Sequence, residues 1–168
     1  MVKALVTTLP KSGTHLLNVM MHGLGLRRHQ CPVADATAGL LDADPEVSKA
    51  NVERIGGMID EMPDNSFILH HIPYTKFLMH ELTRRDVRAI ALLRNPFDFV
   101  VSLAHHLRAH PEKDTPRTSS VHEMQHWICG GDEPSPDVAP KPPIAKRYFR
   151  IMQGWTADPR ALVLRFEN

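Results

Sequence analysis

Cysteine is scarce in this chain: the 168 residues include two, Cys31 and Cys129. They form no C-x-x-C pair, so neither a zinc knuckle nor a dithiol redox site is indicated. A reducing compartment is the simpler expectation. Charge of one sign is lacking as well. Lys plus Arg is 20 and Asp plus Glu is 19, a formal net charge of +1. That balance argues against a broad nucleic-acid footprint, although a small anion site needs only a few local donors. No apolar run approaches the ~20 residues that span a bilayer. The N-terminal MVKALVTTLPKSGTH lacks the apolar core of a signal peptide. The expectation is a cytoplasmic protein with no transmembrane segment and no nucleic-acid partner. No internal repeat is visible, and G-x-x-x-x-G-K-[ST] does not occur.

What is present suits one domain with a real core. The hydrophobic share is 42% and the charged share 23%, ordinary for a globular protein. Histidine (11) and proline (14) are abundant, and seven of the prolines fall between Pro111 and Pro143, which marks an irregular stretch. Apolar β-branched residues at 2–8 predict a buried strand. Leu16, Leu17, Met20, Met21 and Leu24 follow at helical spacing, with Gly23 and Gly25 ending the helix. Residues 31–45 read as loop, Pro45 to Met62 as helix, 66–73 as a short strand running into Pro73, and Thr75 to Arg85 as helix. VRAIALL (87–93) predicts a second strongly apolar strand, followed by a helix from Phe97 to about His110 with Asp98 in its first turn. A short helix at 119–129, another from Ile144 to Trp155 and a last strand at 161–166 complete the pattern. Strands alternating with helices imply an α/β fold in three layers: a mainly parallel sheet with helices on both faces. The chain stops at Asn168, directly after a buried-type strand that would ordinarily feed another connection, so a C-terminally truncated fragment is expected.

The segment VTTLPKSGTHLL places Lys11, Ser12, Gly13, Thr14 and His15 between a strand and a helix N-terminus. Backbone N–H groups and the helix dipole favour an anion there. Gly13 permits close approach of the backbone to a phosphate. Lys11 supplies a point charge, and Ser12 and Thr14 supply hydroxyls. The lysine precedes the glycine, unlike the common nucleoside-triphosphate loop, which disfavours a kinase. A second candidate anion site follows the 87–93 strand. Arg94 offers a planar fork, and Ser102 a hydroxyl about two turns into the next helix.

With both segments in view, the chain resembles the family of sulfotransferases that use 3'-phosphoadenosine 5'-phosphosulfate (PAPS). LPKSGTH, HHIP, RNPFDFVVS and LVLRFEN carry the resemblance, in family order and over nearly the whole chain. It implies a P-loop-like fold in one sulfotransferase-type domain over residues 1–168. Lys11, Ser12, Gly13, Thr14 and His15 would hold the 5'-phosphosulfate, and Arg94 and Ser102 the 3'-phosphate. Phe166 stands where the family has a tyrosine near the adenine, before Glu167 and Asn168. Lys11 would stabilise charge on the bridging oxygen, Ser12 would hold Lys11 away until sulfate arrives, and His71, from His-x-Pro, would take the acceptor's proton. His70 would face the other side of its strand. Leu16 replaces an aromatic that packs on adenine in many members, and the downstream glycine-rich segment is missing.

No metal is expected. His122 and His126 form an i, i+4 pair, and His105, His106 and His110 share one helix, but nothing marks a third ligand. The acceptor would be a small molecule, carbohydrate or lipid, met by residues 27–45 and 111–143. Two alternatives remain open: a P-loop-like nucleotide kinase or phosphotransferase, and a non-catalytic nucleotide-binding module.

Overall fold

The computed structural model describes residues 1–30, 45–110, 120–130 and 144–166. In chain order the elements are β1 (Lys3–Thr8), α1 (Thr14–Gly23), β2 (Arg27–Arg28), α2 (Pro45–Asp60), β3 (Ser66–His70), α3 (Lys76–Arg84), β4 (Val87–Leu93), α4 (Pro96–Ala109), α5 (Val121–Ile128), α6 (Ile144–Ala157) and β5 (Ala161–Arg165). The strands form one parallel sheet in the order β2-β3-β1-β4-β5. β1 lies at its centre, which is why ALVTT can be buried on both faces.

Side chains alternate across the sheet and divide the core in two. Leu5, Ile68 and Ala89 join side chains of α2 to α6, including Val52, Leu78, Phe99, Met124 and Trp155. Ala4, Val6, Phe67, Leu69 and Leu92 face the opposite way, where Leu17 and Met21 of α1 cover them. The expected three layers are present but unequal. Among the described residues α1 alone occupies its face, and Leu16, Val19 and Met20 on its outer side are exposed.

Helix starts follow local chemistry. Thr75 accepts from Leu78 N–H at 3.0 Å, Asn95 from Phe97 N–H at 2.9 Å, and Ser120 from Glu123 N–H at 3.1 Å. These are ordinary N-caps. The cap of α4 is Asn95, with Pro96 beside it, while Asp98 sits within the first turn. β2 was not anticipated, because two residues carry no readable period. It exists because Arg27 N–H reaches Asn65 O and His29 N–H reaches Phe67 O, at the edge of β3. Residues 31–44, 111–119 and 131–143, most of the loops assigned to acceptor contact, lie outside the described residues. Glu167 and Asn168 lie outside them too. No helix among the described residues is long and apolar enough to cross a membrane.

Candidate functional site

Because β1, β3 and β4 are parallel neighbours, their C-terminal ends share one edge of the sheet, where open α/β sheets build ligand sites. β1 delivers the loop Leu9 to Gly13, β3 delivers His71, and β4 delivers Arg94.

The loop turns on Ser12. Its N–H bonds to Leu9 O at 3.2 Å, and its fully buried hydroxyl donates to the same carbonyl. The Ser12 hydroxyl is therefore committed to the turn and does not hold Lys11. Lys11 and Gly13 flank it in the left-handed region, at φ 63 and φ 95. That conformation costs a residue with a Cβ about 1 kcal/mol. A Cβ on Gly13 would moreover collide with the ring of Phe166, so only glycine fits. Arg94 braces the loop from β4. Its Nη1 donates to Lys11 O at 2.7 Å, and its guanidinium lies 5.2 Å from the Phe166 ring centroid. Phe166 is tied to β4 through its N–H to Leu93 O, 2.8 Å.

Thr14 opens α1, and no side chain caps that helix. Its first-turn N–H groups remain available to an anion, in contrast to the capped starts of α3, α4 and α5. Thr14 Oγ1 pairs with Thr8 Oγ1 at 2.9 Å, and His15 stands exposed one residue on. The buried Nε of Arg94 has no hydrogen-bond partner among the described residues. A spare guanidinium donor, an uncapped helix start and a glycine cradle thus lie at one edge, each a feature that favours a bound anion.

His71 Nδ1 lies 2.7 Å from the Thr8 carbonyl oxygen and 3.2 Å from Thr8 Oγ1. A carbonyl can only accept, so Nδ1 carries the proton and Nε2 keeps the lone pair. Burial lowers the His71 pKa, and the bond to Thr8 opposes part of that fall. His70 is neighbour to it, ring centroid to ring centroid 5.9 Å. Its pKa is lowered too, by burial first and by His71 and Arg28 after that.

Sequence reasoning missed His106. Its Nδ1 lies 3.4 Å from Lys11 Nζ. Ser102 and His106 are four residues apart on α4 and so share a helix face. That spacing was the available signal that the Ser102 face looks toward the loop. Periodicity marks Thr7 and Thr8 only as strand residues, and their hydroxyl contacts lie beyond its reach. Among the described residues no group of three His, Cys, Asp or Glu converges as metal ligands. A cavity of about 620 Å³ between α5 and α6 is lined by Cys129, Ala145, Lys146, Phe149, Arg150 and Gln153, none of them a candidate residue.

The fold is similar to that of mouse sulfotransferase SULT7A1 complexed with PAP, with TM-score 0.58 and 18% identity over 98% of this chain and 51% of that chain. This chain thus spans about half the length of that relative. A gluconokinase from Sinorhizobium meliloti 1021 is similar as well, with TM-score 0.53 and 8% identity over 99% of this chain and 83% of that one. At such identities the likeness is one of fold, shared by sulfuryl- and phosphoryl-transfer enzymes. No curated protein matches the sequence. The description Sulfotransferase domain matches residues 2–157, from the start of β1 to the end of α6, and the chain belongs to that family.

Proposed function

We propose that this chain is the cofactor-binding part of a PAPS-dependent sulfotransferase, acting on a hydroxyl or amine of a small-molecule, carbohydrate or lipid acceptor. We place it in the cytoplasm and read residues 1–168 as one domain. The observation that carries the reading is the junction of β1 and β3. His71 is locked by Thr8 with Nε2 free, beside an uncapped helix start and its Lys-Ser-Gly-Thr loop. PAPS supplies the sulfuryl group as co-substrate. Lys11, Gly13, Thr14 and His15 hold its 5' end, and Arg94 and Ser102 its 3'-phosphate, with Phe166 against the base. Ser12 shapes the loop.

His71 Nε2 takes the acceptor's proton as the acceptor oxygen or nitrogen forms its bond to sulfur, and the bond from sulfur to the bridging oxygen breaks. Lys11 offsets the charge that collects on that oxygen. Such displacement relies on positioning and charge stabilisation, as phosphoryl transfer does. A depressed pKa keeps His71 neutral at pH 7, the state a general base needs.

Two measurements test the reading. Titration with adenosine 3',5'-bisphosphate and with ATP should show preference for the bisphosphate. Mass spectrometry of an acceptor panel incubated with PAPS should show a product heavier by one sulfuryl group. Preference for ATP would favour the kinase reading, and bisphosphate binding without any sulfated product would favour a nucleotide-binding module.

A further inference from the structure

We propose that Trp155 and Thr7 are positioning residues for His71: together they clamp the Ile72 peptide and thereby fix the direction of the imidazole in the cleft. The inference rests on the reading of His71 as the base.

The β1–β3 ladder ends at the pair Thr7–His70, so His71 is the first residue without strand support. The Thr7 side chain continues the pairing in place of main chain. Its hydroxyl donates to Ile72 O at 2.9 Å and accepts from Ile72 N–H at 3.0 Å. Trp155 Nε1–H donates to the same Ile72 carbonyl at 2.9 Å. Thr7, Ile72 and Trp155 are each 0% exposed, so no water competes for these bonds. A carbonyl oxygen has two lone pairs and can satisfy both donors. His71 is therefore held between one peptide in the ladder and one in the clamp, with its Nδ1 bonded to Thr8.

The grip extends two residues further. The Tyr74 hydroxyl donates to Asp158 Oδ2 at 2.8 Å, and Arg160 Nη2 holds the same carboxylate oxygen at 2.6 Å. The Tyr74 ring meets Trp155 edge-on at 5.4 Å. Gly154 leaves the space that the ring fills, since a Cβ there would collide with it. The end of α6, more than eighty residues downstream, thus steers the segment that carries the base.

The test is Trp155→Phe in the full chain, which keeps an aromatic ring and leaves Ile72 O bonded to Thr7. Imidazole ¹⁵N NMR should show His71 as a single Nδ1–H tautomer in the parent and as a mixture in the variant. Turnover should fall about ten- to a hundredfold, the loss expected from slight misplacement of a catalytic group. KM for PAPS and the Kd for adenosine 3',5'-bisphosphate should stay within about twofold, since the loop is untouched. Should Trp155→Phe fail to fold, Thr7→Val and Thr7→Ser carry the test: the valine variant should lose the single tautomer and the serine variant regain it. An unchanged tautomer and unchanged turnover in the folded variants would overturn the clamp. A tautomer shift in a chain that makes no sulfated product supports the clamp and counts instead against the sulfotransferase reading.

Discussion

Lys11 occupies a backbone conformation that residues with a Cβ avoid, and it does so at the point of greatest chemical interest. Replacing it separates strain from function. Lys11→Ala and Lys11→Gly should both lose most turnover while weakening cofactor binding less. The glycine variant should be the more stable of the two by about 1 kcal/mol, because only it relieves the left-handed φ of 63. Equal stability in urea melts, or retained turnover, would contradict this. Arg94 has two tasks and Ser102 one. Ser102→Ala should weaken adenosine 3',5'-bisphosphate and leave AMP nearly unchanged. Arg94→Ala should weaken both nucleotides, since it also removes the brace on Lys11 O. A charged hydrogen bond is worth about 1.5–3 kcal/mol, so its loss should be tenfold or more in calorimetric titration. His71→Ala should lower turnover and remove its rise with pH. In the parent that rise should lie below the ordinary imidazole value of about 6.5, because burial favours the neutral ring.

Three elements meet at the loop, and their junctions are narrower than their interiors. Gly13 is pinned by φ and by the ring of Phe166 at once. Gly13→Ala should abolish detectable bisphosphate binding and cost roughly 1–3 kcal/mol of stability, the range for a residue held in a sparsely populated conformation. Adding Phe166→Ala frees the space but leaves φ unchanged, so the double variant should recover part of that stability. Full recovery in denaturant melts would show that the collision alone matters. At the other helices the signals were local and legible. Asn95-Pro96 marked the start of α4 in the sequence, whereas the Ser120 cap of α5, three residues before Glu123, is seen in the structure. β2 carried no such signal, since its pairing depends on where β3 happens to lie.

Across the molecule, several titrating groups tie stability to pH. His70 and His71 have lowered pKa values, chiefly through burial. Below pH about 6.5 the unfolded chain takes up protons that the folded chain resists, so stability falls with pH until the folded imidazoles also titrate. Asp158 has the same sign at lower pH. The Arg160 guanidinium holds its carboxyl well below the usual range, against burial and with further help from Tyr74. Its stabilising contribution is present above the unfolded carboxyl value near 3.9 and is lost as acid reaches the folded one. Thermal melts should therefore show Tm dropping between pH 7.5 and 5.5, and His71→Ala should flatten that part of the profile. A Tm that is flat or rises on acidification would contradict the sign.

The sequence by itself determined the periodic and the local: a parallel α/β sheet from apolar runs at 2–8, 66–73, 87–93 and 161–166, the helices between them, and a Lys-Ser-Gly-Thr loop between strand and helix. Those signals are short-range, so they survive in one dimension. Tertiary structure alone decided which side chains meet. It turned the Ser12 hydroxyl onto Leu9, brought His106 to Lys11, set Arg94 as a brace, locked His71 onto Thr8, and placed Trp155 on Ile72. Except for Ser12 with Leu9, these contacts join residues about sixty or more positions apart, and they exist because parallel strands bring their C-terminal ends to one edge. No spacing in the chain encodes that meeting. It follows from the strand order, which the packing of the whole sheet selects.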